Sequence, residues 1–165
     1  MGAKGAKLIL WEKAMRIIIV GNGKVGSTLA EQLSVENHDV VIIDKNQQNI
    51  DNLVNSLDVM GICGNGASYQ VLLEAEVSRA DLLIACTSQD EINLLCCLVG
   101  RKLGAKHTIA RVRNPEYSDQ LVFMREELGL SMSINPERVA ASELFKILRF
   151  PSAIKICLLY TSRCV

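Results

Sequence analysis

Residues 16–33 read RIIIVGNGKVGSTLAEQL, and no other stretch narrows the range of folds as much. A β-branched run ends in three glycines, Gly21, Gly23 and Gly26, and these open onto Val25, Leu29 and Leu33 at a spacing of four. The extended run predicts a strand, and apolar residues recurring about one turn apart predict a helix with one buried face. Glycines at GxGxxG spacing are weak evidence alone, but between a strand and a helix they have the context that a phosphate-binding turn requires. In such a turn Gly21 permits the tight reversal, Gly23 lets backbone approach a pyrophosphate, and Gly26 lets the helix pack closely on the sheet. The free N–H groups at the helix start, with the helix dipole, then hold the phosphate charge.

The alternation continues along the chain. Strands are expected over residues 16–20, 40–43, 59–62, 82–85, 108–112 and 132–134. Most are apolar throughout, as strands covered on both faces must be. Ile50, Leu53, Val54 and Leu57 follow the i, i+3, i+4, i+7 pattern of an amphipathic helix. Pro115 opens a further helix, since its missing N–H is no loss in a first turn, and Pro136 opens another, with Asn135 as cap and Pro151 as stop. The class is α/β. Right-handed crossovers between successive parallel strands predict a three-layer, Rossmann-like, doubly wound parallel sheet of about six strands.

Composition then removes several functions. A chain of 165 residues with 49% apolar content fits one compact domain with short appendages. Eighteen basic and eighteen acidic residues leave no field to attract nucleic acid or anionic lipid. Apolar runs such as residues 92–99 stop well short of the roughly 20 residues of a membrane-spanning helix. Lys4 and Lys7 precede only four apolar residues, too few for a signal-peptide core, so a soluble chain with a cytoplasmic address is expected. Cys63, Cys86, Cys96 and Cys97 sit in apolar segments without a CxxC pair and read as small buried hydrophobes of a reducing compartment. Zinc is unsupported, because Cys96 and Cys97 are adjacent and neither His38 nor His107 has a ligand at the required spacing.

Further candidates cluster at strand ends. Asp44 ends the second strand about 20 residues beyond the glycines, where a carboxylate accepts hydrogen bonds from ribose hydroxyls and repels a 2'-phosphate. NAD, ATP, ADP or AMP therefore fits better than NADP. Thr87 and Ser88 follow the fourth strand and place two hydroxyls on the edge where ligands of such sheets bind. Arg111 and Arg113 alternate at the end of the fifth strand and are expected on one face, with one or both available to phosphate. Asp90 and Glu91 favour the start of the following helix rather than acid–base work, and Gly64, Asn65 and Gly66 read as a turn rather than a second phosphate cradle.

A dehydrogenase needs a group at the nicotinamide end and a surface that selects a second substrate. Both histidines precede strands and so belong to the opposite edge, and little chain remains after the last helix for a substrate domain. Binding without turnover is the better reading, and an NAD-dependent oxidoreductase fragment is the alternative. A redox-sensing DNA-binding repressor would need a basic recognition module that this neutral chain lacks.

IIIVGNGKVGSTLAEQL, VVIIDKN, DLLIACTSQDEINLLCCLVGRKL and IARVRNPEY, in that order, resemble the N-terminal domain of TrkA-type regulators of potassium conductance. The similarity runs from Met15 to Ile156. It implies a non-enzymatic regulatory subunit that binds NAD or NADH, with ATP or ADP as alternative ligand at the same site. It also implies a homodimer assembling into a ring and a TrkH-like membrane potassium channel or transporter as partner, with membrane association only through that partner on the inner face. Gly21, Asn22, Gly23, Lys24, Val25, Gly26, Asp44, Thr87, Ser88 and Arg111 match the family's nucleotide-binding pattern. Asn22 stands where the family usually has alanine. The resemblance assigns residues 1–14 to an extension, from a tag or a misplaced start, and residues 15–135 to the nucleotide-binding domain. Residues 136–150 are then a crossover helix, and 151–165 begin a linker to a further domain, with an atypical end from residue 157.

Overall fold

The computed structural model describes residues 14–149. The Pro151 stop, the expected linker and all of the expected extension but Ala14 lie outside the described residues. The strands are β1 (Arg16–Val20), β2 (Asp39–Asp44), β3 (Met60–Cys63), β4 (Leu82–Ala85), β5 (His107–Arg111) and β6 (Met132–Ile134). The helices are α1 (Lys24–Val35), α2 (Gln47–Val54), α3 (Tyr69–Glu74), α4 (Asp90–Lys102), α5 (Pro115–Met124) and α6 (Pro136–Arg149). All strand pairs are parallel, in the order β3-β2-β1-β4-β5-β6. This is the doubly wound Rossmann order, with its reversal between β1 and β4.

Strand periodicity divides the core into two layers. Ile18 and Val20 join Val41, Ile43, Leu83, Leu72 and Cys97 on one face, while Ile17 and Ile19 join Val40, Ile42, Ala30 and Ile50 on the other. Both faces are therefore dry, which is why β1 has no polar residue after Arg16. Register is set by these layers, with Ile18 of β1 opposite Val41 of β2 and Leu83 of β4. A slip by one residue would exchange the two faces.

Several expectations need adjustment. β3 begins at Met60 because Val59 N donates to Leu57 O in a turn and only Met60 reaches its partner Val41. α3 and the short 3-10 turn Val77–Arg79 connect β3 to β4, although the helix carries no long periodic signal. β6 is exposed at every residue, so the two-sided burial of the inner strands does not extend to this edge. Cys63 is exposed too, because it ends the other edge strand, whereas Cys86, Cys96 and Cys97 are buried as expected. α5 and α6 begin as the prolines predict, with Asn114 Oδ1 accepting from Glu116 N and Asn135 Oδ1 from Arg138 N.

The glycine turn is closely packed. Gly21 has φ +103°, and a Cβ there would lie 2.9 Å from Thr87 N. A Cβ on Gly26 would lie 1.9 Å from the Gly21 carbonyl oxygen, so the obstacle is the turn itself more than the sheet. At Gly23 nothing lies within 4 Å. Gly26→Ala is therefore expected to lower stability by at least about 1–3 kcal/mol, the usual penalty of overpacking. Gly23→Ala should change it by less than about 1 kcal/mol. Urea denaturation of the two variants checks the contrast.

Candidate functional site

A cleft of about 450 Å³ opens at the carboxyl edge of the sheet, over the point where strand order reverses. That volume is in the range of small-molecule sites. Its floor is the β1–α1 turn, pinned by Gly21 N donating to Ile43 O at 2.8 Å and by Cys86 N donating to Val20 O at 2.8 Å. Gly21, Asn22, Gly23, Lys24, Val25, Asp44, Thr87, Ser88 and Arg111 all line it. Gly26 does not; it is buried behind the turn and acts by letting the turn close.

Gly23 is the N-cap of α1 and has no side chain to satisfy the first-turn N–H groups. By contrast, Asn46 caps α2 through Gln48 N and Asn49 N. The uncapped donors of α1 and the positive end of its dipole make an anion-accepting wall. Across the cleft, Asp44 is held from two sides: Oδ2 accepts from Asn22 N at 2.6 Å and Oδ1 from Asn46 N at 2.8 Å. Asp44 thus ties the glycine turn to the start of α2, and its replacement would loosen that turn. Each carboxylate oxygen keeps a further lone pair for an incoming hydroxyl.

Two groups in the wall are held in unreactive states. Burial pushes the Cys86 thiol up to about 11 against the lowering effect of Arg111, and Sγ donates to the Gly21 carbonyl. A thiol so raised is no nucleophile at neutral pH. Arg111 is mostly buried; one terminal nitrogen meets Glu137 Oε1 at the start of α6, and the other reaches Thr87 O at 3.5 Å. Its Nε is buried without a partner, and so is Asn22 Oδ1. The Glu137 carboxyl is held below its ordinary value by its backbone hydrogen bond, with Arg111 assisting.

Arg113 does not share the cleft with Arg111. Its N–H and that of Asn114 donate to Asp90 Oδ2 at 2.8 Å each, and its guanidinium turns to Ser88 O and towards Asp90 Oδ1 at 3.7 Å. Asp90 does sit in the first turn of α4 as expected, but it is also a buried clamp on the chain beyond β5. The turn at Gly64, Asn65 and Gly66 is a turn, with Asn65 Oδ1 accepting from Ala67 N, and it also lines the cleft together with Lys45 and Asn49. Both imidazoles lie at the opposite edge: His38 Nδ1 accepts from Met15 N, and His107 Nδ1 is 3.4 Å from Ser131 Oγ.

Sequence reasoning missed Asn93. This fully buried amide accepts from Thr87 N at 2.8 Å and Thr87 Oγ1 at 2.7 Å, and donates to Thr87 O at 3.3 Å and Arg111 O at 2.9 Å. It fixes the ends of β4 and β5 relative to each other. Its only local signal is a polar residue within an apolar helix. Asn93→Ala would leave the part-buried Thr87 N and Arg111 O without this partner, so a loss of about 1–3 kcal/mol in unfolding free energy is expected. Chemical denaturation measures it.

Comparison with known proteins adds the following. The TrkA-N domain family model matches residues 17–136. A Trk system potassium uptake protein TrkA homolog of Archaeoglobus fulgidus is 44% identical over 142 residues, covering 86% of this chain and 32% of that one. The chain thus spans about a third of that relative's length. The TrkA-N domain of the inner membrane protein ybaL from Escherichia coli has the same fold, with a TM-score of 0.71 at 23% identity over 82% of this chain and 98% of that one. The GsuK channel bound to NAD superposes with a TM-score of 0.63 at 25% identity, over 76% of this chain and 22% of that one. GsuK bound to ADP gives 0.62 at 25% identity, over 79% and 34%.

Proposed function

The chain belongs to the TrkA-N domain family, and we propose that it is the nucleotide-sensing domain of a regulator acting on a membrane potassium transporter. The ligand is NAD or NADH, with ATP or ADP competing for the same cleft, and it is bound without being consumed. One observation carries this reading: the uncapped start of α1 and the doubly held Asp44 carboxylate face one cleft across the glycine turn.

Each part of a dinucleotide finds a matching group. The pyrophosphate sits against Gly23, which leaves open space for close approach, and on the uncapped N–H groups at Lys24 and Val25. Adenosine ribose takes the free lone pairs of Asp44, and a 2'-phosphate would meet the same carboxylate as a like charge. The more distant half of the ligand extends across the end of β4, past Thr87 and Ser88, towards Arg111. Cys86 stays a thiol, and both histidines face away from the cleft, which favours sensing over hydride transfer.

The relatives supply the context of that sensing. Relatives named Trk system potassium uptake proteins support a partner in the membrane, and GsuK structures with NAD and ADP support both ligands. Among the described residues no helix is long and apolar enough to cross a membrane; in this reading contact with a bilayer goes through the partner. Exposed Leu144, Phe145 and Leu148 on α6 support assembly of the chain with further copies, with α6 as the crossover helix.

Calorimetric titration with NAD, NADH, ATP, ADP and NADP tests the reading. NAD and the adenine nucleotides should bind and NADP should bind more weakly, with nicotinamide absorbance unchanged over time. Asp44→Ala should weaken NAD and ATP at least about tenfold through the lost charge-assisted bonds, while NADP holds steady or gains. Because Asp44 also anchors Asn22, part of the loss comes from a looser turn and falls on every ligand, and for NADP the relieved repulsion of its 2'-phosphate offsets that part. Unchanged NAD and ATP binding in the variant would refute the ribose assignment.

A further inference from the structure

We propose that Glu137 belongs to the nucleotide site as a positioning residue, pairing with Arg111 until the ligand's terminal phosphate takes the guanidinium from it. Ligand and α6 then compete for one guanidinium. The inference rests on the reading of the cleft as a nucleotide site.

Arg111 is the shared group because it has contacts on both sides. Its side chain lines the cleft, and one terminal nitrogen is paired with Glu137 in the first turn of α6. A guanidinium carries five N–H donors, and here the other terminal nitrogen makes only a long contact with Thr87 O while Nε is buried with none. The protein's own atoms leave the group under-satisfied. Arg111 O is fixed by Asn93 Nδ2, so the backbone stays in place and only the side chain exchanges partners.

The exchange is competitive because both partners are anions. A phosphate brought to Arg111 stands beside the Glu137 carboxylate, and the like charges repel. Glu137 yields at small expense, since its side chain is 57% exposed and water replaces the lost bond, whereas the Arg111 side chain is 14% exposed and needs an anionic partner. α6 has little else to hold it. No residue of α6 is buried, and its first turn is otherwise tied by Asn135, which caps Arg138 N and donates to Arg113 O.

Reach determines which ligands act. Asp44 ends β2 and Arg111 ends β5, three strand spacings apart, or about 14 Å. A nucleotide held by its ribose at Asp44 meets Arg111 only with a part well beyond its first phosphate. ATP spans this better than AMP, so AMP is an internal control.

The test is calorimetric titration of the full chain and its Glu137→Gln variant with ATP and AMP, with hydrogen exchange followed at the α6 amides of Arg138 and Val139. The variant should bind ATP about two- to fivefold more tightly, the scale of a partly exposed ion pair, with AMP affinity unchanged. ATP should speed exchange at those amides in the parent protein and have no further effect in Glu137→Gln. Glu143→Gln, which removes the same charge from an ion pair with Lys146 on the same helix, should leave ATP affinity as it was. Equal or weaker ATP binding by Glu137→Gln overturns the competition, and so does an equal gain for AMP or for Glu143→Gln. A parent protein that binds neither nucleotide overturns the functional reading itself, and the competition with it.

Discussion

The Gly21 carbonyl occupies the space where a side chain at position 26 would begin. That contact brings the start of α1 against the turn leaving β1, and it is available only because both positions lack a Cβ. From it follows the rest of the carboxyl edge. Gly21 N can reach Ile43 O, Cys86 can lie beneath the turn, and the first-turn N–H groups of α1 are left facing an open cleft. A conventional N-cap such as Asn46 on α2 would have covered those donors with its own side chain. The turn is therefore unfinished as a local structure, with donors left open to the cleft.

A second layer of contacts holds the cleft at its other end. Asn93 joins β4 to β5, and Asp90 takes the next two backbone N–H groups after Val112. Both residues lie on α4 and both are buried. The helix thus acts as a frame for Thr87, Ser88 and Arg111 without itself supplying most of the lining. Its interior cysteines serve the same end by packing: burial raises Cys96 to about 12, and it remains an uncharged filler in the layer beneath the cleft.

Much of this was legible in the chain because periodicity and punctuation agree over residues 16–44. The glycine spacing, the apolar strands and Asp44 are local signals, and in the folded chain the strands form the sheet while the turn and Asp44 meet at one cleft. Other features depend on neighbours that sequence does not bring together. Gly66 is a glycine because a Cβ there would lie 2.1 Å from Val20 Cγ1, a residue of a strand not adjacent to β3. Asn93 reads as a polar interruption until Arg111, far along the chain, is seen to accept from it. Cys63 shares its composition with the buried cysteines and differs only in ending an edge strand. Arg113 has the spacing of Arg111 but follows the end of β5, where Asp90 and Ser88 redirect it.

β6 is three residues long and wholly exposed, and at the other margin β3 has four residues. Open parallel sheets leave a row of unpaired backbone donors and acceptors at each margin, which another chain can extend strand by strand. Three or four residues offer too few hydrogen bonds to hold a foreign strand in register. A molecule whose helices already expose Phe123, Phe145 and Leu148 is thereby kept from sticking through its backbone as well. Short sheet margins leave side-chain surfaces, where shape selects the partner, as the route for contact between chains, and disfavour the indiscriminate pairing that leads to fibrils.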